Sequence, residues 1–392
     1  MSTIITDYAG LVAIGDDLAG DYILGNDIDA SGETWTPLGT FTGTLDGKVY
    51  SIADLTITLN AAGAQSGALF EINQGIIKNL DFTDCTISVT STNNMARAAC
   101  IAYQNDGGTI QNCHITGTVA ATTSGVAFTA SAAGIAVYNQ NGGTIIECSS
   151  TSTVSATSVS HCFGGGISAV NTAIISESFN SGDITVTSSY VGAAAIRIEA
   201  GGLVARNGYT GWPGGEDGMI SDSYNRGNAT ASGGGTSVYA GGLVAHQETA
   251  GSTIDDSYST GVPIADTTLG GLCGVDVGTI TNSFWDTETS GTAVSDGGTG
   301  KTTAQMKTKS TFTDADWDFI VIWGINGITN DGYPFLWAIL PEPLPDSPRR
   351  TVAIEDKITL ESIRNIEMAA MGRFRVDKEG NAVYRSRYAR NA

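Results

Sequence analysis

Residues 201–205 read Gly-Gly-Leu-Val-Ala, and residues 220–227 read Ile-Ser-Asp-Ser-Tyr-Asn-Arg-Gly. The same pair of segments returns at residues 241–245, Gly-Gly-Leu-Val-Ala, and at residues 254–261, Ile-Asp-Asp-Ser-Tyr-Ser-Thr-Gly. A repeat with a period of about 20 to 50 residues is typical of a solenoid, in which each copy buries its apolar face by stacking on its neighbours. The two segments therefore predict a stacked array of short repeats.

Weaker copies of both segments fill residues 36–285. A small-residue doublet precedes the first apolar position in seven copies: Leu69, Ile101, Ile135, Ile167, Leu203, Leu243 and Leu272. The isoleucine of the second segment follows in each of them: Ile77, Ile110, Ile145, Ile175, Ile220, Ile254 and Ile280. An eighth, degenerate copy has Leu45 and Ile52, and the spacing between successive isoleucines runs from 25 to 45 residues.

Each isoleucine is followed, two residues later, by a polar residue: Asp54, Asn79, Asn112, Glu147, Glu177, Asp222, Asp256 and Asn282. The next position is small or apolar: Leu55, Leu80, Cys113, Cys148, Ser178, Ser223, Ser257 and Ser283. Residues three apart in a straight strand face opposite sides, so the chain must bend at the polar residue if both flanking side chains point inward. Bent short strands without helical periodicity predict an all-β, right-handed parallel β-helix. Eight rungs spaced by about 4.8 Å predict a rod about 40 Å long.

The chain divides into five predicted segments. They are an N-terminal cap at residues 1–35, the rungs at 36–285, an aromatic-rich C-terminal cap at 286–340, a Pro-rich linker at 341–350, and a helix–hairpin anchoring module at 351–392. The N-terminal cap covers an open sheet edge with a short helix from Tyr8 to Leu18. The C-terminal cap is expected to bury the last rung. The anchoring module contains a helix from Thr359 to about Met371, a strand with Phe374 and Val376, a turn at residues 377–381, and a second strand that begins at Val383.

Charge is distributed unevenly along the chain. The whole chain has 19 Lys+Arg and 40 Asp+Glu; residues 345–392 hold 10 and 7 of these, which leaves 9 basic and 33 acidic residues before them. Such an acidic rod repels nucleic-acid phosphates and anionic membrane surfaces, so neither is an expected partner. No apolar run is long enough to span a membrane, and the start lacks the pattern of a signal peptide. A product made in the cytoplasm without a leader is expected.

The repeats resemble the GLUG repeat family. Residues 201–205 with 220–227, and 241–245 with 254–261, carry the resemblance most clearly. Residues 27–29, 35–39 and 41–47 are similar to the entry segment of the family, and residues 283–286, 300–303 and 331–334 to its exit segment. The resemblance covers about residues 1–340 and implies a β-helical display or binding rod of bacterial surface, adhesin-like or phage proteins. It implies no fixed catalytic residues. Residues 372–387 resemble helix–hairpin units of phage tail and baseplate proteins.

One insertion interrupts the repeat. Leu203 and Ile220 are 17 residues apart, whereas the corresponding distance in every other copy is 7 to 11. The inserted loop carries Tyr209, Trp212, Glu216 and Asp217. Insertions in solenoids often lie on the binding face, and exposed aromatic side chains suit sugars or protein partners. These four residues are the predicted binding site; the alternative is a loop that only folds back over the rod.

The stacked acids are the main enzymatic alternative. Glu147, Glu177, Asp222 and Asp256 share one repeat position, so neighbours would lie about one rung apart, near the lower limit for glycoside hydrolysis. A ladder of solvated or turn-bonding acids is the simpler interpretation, and Ca²⁺ held between them is a third. Residues 295–302 come close to a P-loop, but Ser295 stands where glycine is required, and a glycine-rich turn is expected. No metal site and no catalytic residue is assigned.

The cysteines and histidines support no separate site. Cys113 and Cys148 share the small buried position, and a cytoplasmic product favours thiols over a disulfide. His114, His161 and His246 are too scattered for a metal site and are expected on rung surfaces or turns.

These features lead to one expectation and two alternatives. The expectation is a non-enzymatic virion component, such as a phage tail or capsid appendage, whose β-helical rod displays or binds a receptor or glycan. Residues 351–392 would join it to other virion proteins, as a homo-oligomer or within a larger assembly. Arg373, Arg375, Arg385 and Arg387 alternate on the hairpin strands and would meet an acidic partner. The alternatives are a bacterial cell-surface adhesin and a β-helical polysaccharide hydrolase or lyase.

Overall fold

The computed structural model describes residues 2–191, 196–211 and 216–339, together with the backbone of residues 372–376 and 382–386. The described residues between Thr3 and Lys301 form a parallel β-helix, as the repeats predict. Each turn of the chain visits three sheets in the order sheet 3, sheet 2 and sheet 1. The strands of these sheets pair in parallel between successive turns.

Sheet 1 contains the isoleucine segment and the strands that follow it. Its strands are Thr3–Ile5, Asp21–Leu24, Ile28–Asp29, Thr44–Asp46, Ser51–Ala53, Thr56–Ala61, Ile76–Ser91, Thr109–Thr123, Thr144–Ile146, Ser149–Ser150, Thr153–Ser158, Ile174–Ser176, Phe179–Asn180, Ile184–Val191, Met219–Ser221, Tyr224–Asn225, Ala229–Gly234, Thr253–Asp255, Tyr258–Ser259, Pro263–Ala265, Thr279–Thr281, Phe284–Asp286 and Thr299–Lys301. The isoleucines stack in register, for example Ile145 on Ile175 and Ile175 on Ile220. The predicted column is therefore confirmed from Ile77 to Ile280. The eighth copy was wrong: Leu45 pairs with Ile77 and continues the isoleucine column, whereas Ile52 pairs with Phe82 on a later strand segment of the same sheet.

Sheets 2 and 3 meet at the small-residue doublet. Sheet 2 contains Leu38–Phe41, Phe70–Asn73, Ala102–Asp106, Ala136–Gln140, Ser168–Asn171, Val204–Asn207, Val244–Gln247 and Cys273–Asp276. Sheet 3 contains Gln65–Gly67, Ala96–Ala98, Ala130–Ala133, Cys162–Gly165, Arg197–Gly201, Ser237–Gly241 and Thr268–Gly270.

Steric crowding explains the glycine doublet at this corner. A Cβ atom on Gly201 would lie 1.7 Å from the carbonyl oxygen of Val204, because the chain turns sharply between the two sheets. A Cβ atom on Gly202 would lie 2.0 Å from the side chain of Asn225 in the interior. The first glycine is therefore required by the corner and the second by the packing inside the rod.

The bend inside sheet 1 occurs where the sequence predicts it. Seven polar residues of that column have left-handed backbone, with φ between 45° and 57°: Asn79, Asn112, Glu147, Glu177, Asp222, Asp256 and Asn282. Asp54 has the same backbone conformation but lies outside the column, because its strand Ser51–Ala53 pairs with Asp81, Phe82 and Thr83. Asn and Asp tolerate this conformation better than other non-glycine residues. The bend turns both the isoleucine and the residue after the bend toward the core, where Ile220 and Ser223 are buried.

A ladder of hydroxyl groups follows each bend. The backbone N–H of Ser178 donates to Oγ of Ser223, and that of Ser223 donates to Oγ of Ser257, at 3.2 Å each. Each hydroxyl in turn donates within its own turn, as from Ser223 to the carbonyl of Ser221. Cys148 makes the same local contact with the carbonyl of Ile146. This shared role explains why cysteine and serine can occupy the same position in successive turns.

A second ladder, of amides, runs through the interior at the end of sheet 2. Each side-chain NH₂ donates to the side-chain oxygen of the next turn at 2.7 to 3.0 Å, through Asn73, Asn105, Asn139, Asn171, Asn207, Gln247 and Asp276. All are buried except Asp276, which is half-buried and ends the ladder. This column was not predicted from the sequence. Its members stand four residues after each first apolar position.

The N-terminal segment extends sheet 1. Strand Thr3–Ile5 pairs with Asp21–Leu24, which pairs with Thr44–Asp46. The α-helix Tyr8–Val12 begins at Asp7, whose carboxylate accepts from the N–H of Gly10, and the 3₁₀ turn Ala13–Asp16 follows it. Leu11 and Ile14 from these elements join the main core.

The aromatic C-terminal segment packs along a flank of the rod. Phe179, Tyr224 and Tyr258 stack on successive turns with ring centroids 4.7 and 5.0 Å apart. Residues Met306, Phe312, Trp317, Ile322, Trp323, Tyr333 and Leu336 cover this stack and Phe284. The segment therefore covers a side face spanning four turns, in addition to the last rung where it was expected.

Short elements build this C-terminal segment. They are the α-helices Thr303–Met306 and Lys309–Thr313, the 3₁₀ turns Thr329–Gly332 and Trp337–Ile339, and the antiparallel strands Trp323–Gly324 and Phe335–Leu336. Thr302 and Gln305 form a capping box at the first helix. The end of the last turn is closed by Ser295, whose Oγ accepts from the N–H groups of Leu272 and Cys273. Ser295, the first residue of the stretch that resembles a P-loop, therefore caps backbone N–H groups of the last turn.

Candidate functional site

A second apolar cluster lies outside the main core, on the outer side of the corner between sheets 3 and 2. Strand alternation puts it there, since Cys162 points into the core and its neighbour Phe163 points away. The cluster consists of Ala99, Ala133, Val137, Phe163, Ala169 and Ala205, with Tyr103 and Tyr138 partly buried against it. We call this surface the outer corner. The charged groups described next pack against this surface, as Arg206 does against Phe163.

Arg206 is the centre of a buried ion network at the outer corner. Its side chain is fully buried, and its guanidinium group stacks on the ring of Phe163 at 4.4 Å. The Nε and Nη2 atoms donate to the two carboxylate oxygens of Glu199 at 2.9 and 2.7 Å. Glu248 lies on the other side, with a carboxylate oxygen 3.3 Å from Nε. The bidentate geometry fixes the guanidinium plane.

Two further groups complete the network. Nδ1 of His246 lies 3.3 Å from Glu199, and Nη1 of Arg197 lies 2.9 Å from Glu248. We call these five residues, Arg206, Glu199, Glu248, His246 and Arg197, the Arg206 cluster. They come from two successive turns of the rod: Arg197, Glu199 and Arg206 from one, and His246 and Glu248 from the next. Two carboxylates therefore face two arginines and a histidine in a largely buried setting.

The network keeps its central pair ionised. Burial alone would raise the pKa of Glu199, but Arg206 and His246 outweigh it and lower that pKa to about 2. Burial likewise opposes the charge on Arg206, and Glu199 and Glu248 raise its pKa above the usual value. A buried pair of this kind contributes stability only while both partners are present.

The insertion loop is fixed directly on this network. Tyr209 and Glu216 pair as an antiparallel bridge, with N–H to carbonyl distances of 2.9 and 3.0 Å. The ring of Tyr209 lies over Arg206 at 5.5 Å, and the hydroxyl of Thr210 donates to Glu248 at 2.7 Å. The carboxylate of Glu216 accepts from the hydroxyl of Thr172 at 2.7 Å. The two ends of the loop are therefore held in place before any ligand binds.

The structure brings three of the four predicted binding residues together. Tyr209 and Glu216 are half-buried and paired, and Asp217 is exposed, with its carboxylate beside Gly251 of the next turn. Trp212 lies outside the described residues. The Arg206 cluster was missed in the sequence analysis, because its members come from separate turns. The available signal was the occurrence of Glu199 and Arg206 in strands otherwise built of small residues.

The stacked acids occupy the bends of sheet 1. Glu147 and Asp256 are about 4% exposed, and Glu147 accepts from the side chain of Gln111 at 3.1 Å. Asp222 is fully buried beneath the C-terminal segment and accepts from the indole N–H of Trp323 at 3.3 Å. The acids therefore form part of the bends and of the flank contact. Within the described residues, no group of three or more His, Cys, Asp or Glu is arranged to hold a metal ion.

The histidines and thiols lie in structural contacts. His114 bonds Ser149 on the next turn, and Nδ1 of His161 accepts from the backbone N–H of Arg197. All six cysteines are buried free thiols.

The predicted anchor is described only in its backbone. Strands Gly372–Val376 and Ala382–Ser386 pair antiparallel, with Arg373 opposite Arg385 and Arg375 opposite Val383. Arg387, the linker and the helix from Thr359 lie outside the described residues. The basic strand face stays a prediction.

Comparison with known proteins supports the fold. No family model matches the chain. A "Putative Gly-rich membrane protein" of Evansella cellulosilytica is 42% identical over 88 residues, which is 21% of this chain and 10% of that protein. The crystal structure of a "putative immunoglobulin A1 protease" from Bacteroides ovatus has a TM-score of 0.51 at 20% identity, covering 86% of this chain and 92% of its own.

A further structure, described as "IgA1 Protease", has a TM-score of 0.50 at 15% identity, covering 88% of this chain and 25% of its own. Both structural similarities concern the β-helical architecture alone. The match to the curated relative spans about a tenth of its length. Among the described residues of this chain, no helix has the length and hydropathy needed to cross a membrane.

Proposed function

We propose that the chain is a non-enzymatic β-helical binding and display module whose outer corner recognises a receptor or glycan. The observation that supports this most is the attachment of the single insertion loop to a buried ion network. Arg206 holds the loop through Tyr209, and Glu248 holds it through Thr210. A loop fixed at both ends binds a partner at a lower entropic cost than a free one.

The proposed ligand-contacting groups are Tyr209, Trp212, Glu216 and Asp217. Tyr209 offers a half-buried ring, and Asp217 offers an exposed side chain just before strand Met219–Ser221. Aromatic side chains with a few fixed polar groups are typical of receptor-binding surfaces. The resemblance to GLUG repeats supports the same type of function, since that family implies display or binding rods.

The setting is proposed as a virion appendage or a bacterial cell surface. The helix–hairpin resemblance at residues 372–387 favours the virion, with Arg373, Arg375, Arg385 and Arg387 as the anchor to other proteins. The partial match to a protein named as a Gly-rich membrane protein is compatible with the cell-surface alternative.

A β-helical hydrolase or lyase is the second alternative. The names of the structural neighbours refer to an enzyme, but the candidate acids of this chain are engaged in the bends. Asp222 is covered by Trp323, and Glu147 is held by Gln111. Catalysis on a polysaccharide requires carboxyl groups that reach the substrate.

Binding to immobilised glycans and to whole bacterial cells tests the proposal. The labelled full chain is compared with Tyr209→Ala and with a variant whose residues 208–217 are replaced by the shorter connection of residues 248–251. Tyr190→Ala is the matched control, because Tyr190 is also half-exposed but lies on strand Ile184–Val191. We expect both loop variants to lose at least tenfold in affinity while the control binds normally. Equal binding by all four proteins would refute the assignment.

A measurement of sugar release distinguishes the hydrolase or lyase alternative from the binding proposal. The full chain and Asp222→Asn are incubated with polysaccharides of the same cells. Release by the parent protein that disappears in the Asn variant would replace the binding proposal by a hydrolase or lyase.

A further inference from the structure

Two of the six cysteines face each other inside the rod. The Sγ atom of Cys85 lies 3.3 Å from the Sγ atom of Cys100, and each side chain is at most 1% exposed. Cys85 belongs to strand Ile76–Ser91 of sheet 1. Cys100 is the second residue of the doublet before Ile101, at the corner between sheets 3 and 2. The two sulfur atoms therefore meet across the interior of a single turn.

The remaining thiols have other contacts. Cys113 and Cys148 donate to carbonyl oxygens in their own turns, at 3.3 and 3.2 Å. Cys162 donates to Thr187, and Cys273 donates to Val275. The column of Cys113 and Cys148 is thus explained by the hydroxyl ladder, in which serine takes the same place. Cys85 and Cys100 belong to no such column.

We propose that Cys85 and Cys100 form an intramolecular disulfide when the chain folds in an oxidising environment. A disulfide has an S–S distance of about 2.05 Å, so the two sulfur atoms need to approach by only about 1.3 Å. The proposal requires rotation about the two Cα–Cβ bonds and no change of fold. The bond would link sheet 1 to the corner of the same turn.

The reaction is an exchange with a low-molecular-weight disulfide. One cysteine thiolate attacks a sulfur atom of the co-reactant, breaks its S–S bond and expels one thiolate. The second cysteine thiolate attacks the protein sulfur of this mixed disulfide and expels the other. The two protons lost by the cysteines end on the two expelled thiolates, and two electrons pass from the protein to the co-reactant.

The exchange takes place before the turn closes. In the folded chain, burial is the largest cause that raises the pKa of the Cys100 thiol well above its usual value, and the thiol form does not react. The two cysteines are only 15 residues apart, so they meet early in folding. Once formed, the disulfide is shielded from reductants by the same burial.

Refolding of the full chain tests the proposal. The denatured, reduced protein is refolded with a mixture of reduced and oxidised glutathione, unfolded under acid, alkylated and digested without reduction. Mass spectrometry should find one peptide pair linked through Cys85 and Cys100, lighter by two hydrogen atoms, and four alkylated cysteines. The midpoint of thermal unfolding should rise by about 4 °C relative to protein refolded with reductant, as expected for closing a short loop in a chain of this size.

Two variants give the controls. Cys162→Ser should form the same linked peptide and show the same rise, whereas Cys85→Ala should lose both. Alkylation of all six cysteines after refolding with oxidised glutathione would overturn the proposal. So would a linked peptide joining Cys100 to any cysteine other than Cys85. Because wild-type protein is compared with itself under two conditions, the result does not depend on the folding of a variant.

Discussion

At the scale of single residues, the glycine doublet shows how little freedom the corner leaves. In three turns the first glycine would place a Cβ atom 1.7 Å from a carbonyl oxygen of the same corner: Gly201, Gly241 and Gly270. Real Cβ atoms do not approach a carbonyl this closely. The backbone would have to open at the point where sheets 3 and 2 join.

Replacing one corner glycine should therefore be costly. We expect Gly241→Ala to lower the free energy of unfolding by about 3 kcal/mol, because the clash is with backbone rather than with a flexible side chain. Gly327→Ala is the matched control, since no atom lies within 4 Å of its added Cβ. Urea unfolding followed by circular dichroism measures both. Equal effects of the two substitutions would show that the corner is not strained.

The Arg206 cluster makes a prediction that depends on pH. Glu199 has a pKa of about 2 in the folded chain, below its ordinary value of 4.5. A lowered carboxyl pKa stabilises the folded chain above pH 4.5, and this contribution disappears as the pH falls toward 2. We expect Arg206→Met to cost about 3 to 5 kcal/mol at pH 7, because it leaves buried carboxylates without their partner. The cost should shrink as the pH approaches 3.

Denaturant unfolding of the parent and the variant between pH 3 and pH 7 measures this. Arg226→Met is the control, since its partner Asp331 is 74% exposed and such pairs contribute less than about 1 kcal/mol. If Arg206→Met lowers the free energy of unfolding equally at pH 3 and at pH 7, the assignment of an ionised Glu199 is contradicted.

At the scale of elements, the two ladders hold successive turns in register. Asn139 accepts from Asn105 and donates to Asn171, with no exposure to solvent. Asn139→Leu keeps the volume and removes both bonds. We expect a loss of about 3 kcal/mol, since the buried amides of Asn105 and Asn171 and the carbonyl of Ile174 each lose a hydrogen bond with Asn139. Asn60→Leu, at an exposed position of strand Thr56–Ala61, should have almost no effect in the same thermal unfolding experiment.

The elements also show what the sequence can and cannot predict. The bends of sheet 1 were predictable because they follow from local chemistry: an Ile and a Ser that both point inward require a turn at the Asp between them. The amide ladder was not, because Asn207, Gln247 and Asp276 are polar and differ from one another. Their interaction becomes evident only when the turns are stacked.

Long-range contacts set the other limit. The aromatic density near Trp317 and Trp323 indicated burial, but not which surface of the rod would be covered. Tyr224 and Tyr258 held the missing signal, as they recur directly after the inward serine and form an aromatic column. For the Arg206 cluster, the sequence offered Glu199 and Arg206 as unusual charged residues but not their partner Glu248, which only the stacking of turns brings close.

At the scale of the whole molecule, the C-terminal segment protects a long apolar face. Trp323 and Phe312 are fully buried against Tyr258, whose hydroxyl donates to the carbonyl of Pro334 at 2.7 Å. We expect a chain ending at Thr302 to expose the aromatic column, bind the dye ANS and self-associate. A chain ending at Ile339 is the comparator. Equal dye binding and equal sedimentation of the two would show that the segment is dispensable.

The left-handed bends and glycine corners recur with one geometry in turn after turn, so a turn enters and leaves the rod in the same way. A copy of residues 202–241, inserted in register, would present to each neighbour the same surfaces that those neighbours already meet. Each added turn lengthens the rod by about 4.8 Å. The length of the rod can therefore change by duplication or loss of whole turns, and no new type of contact between turns is needed.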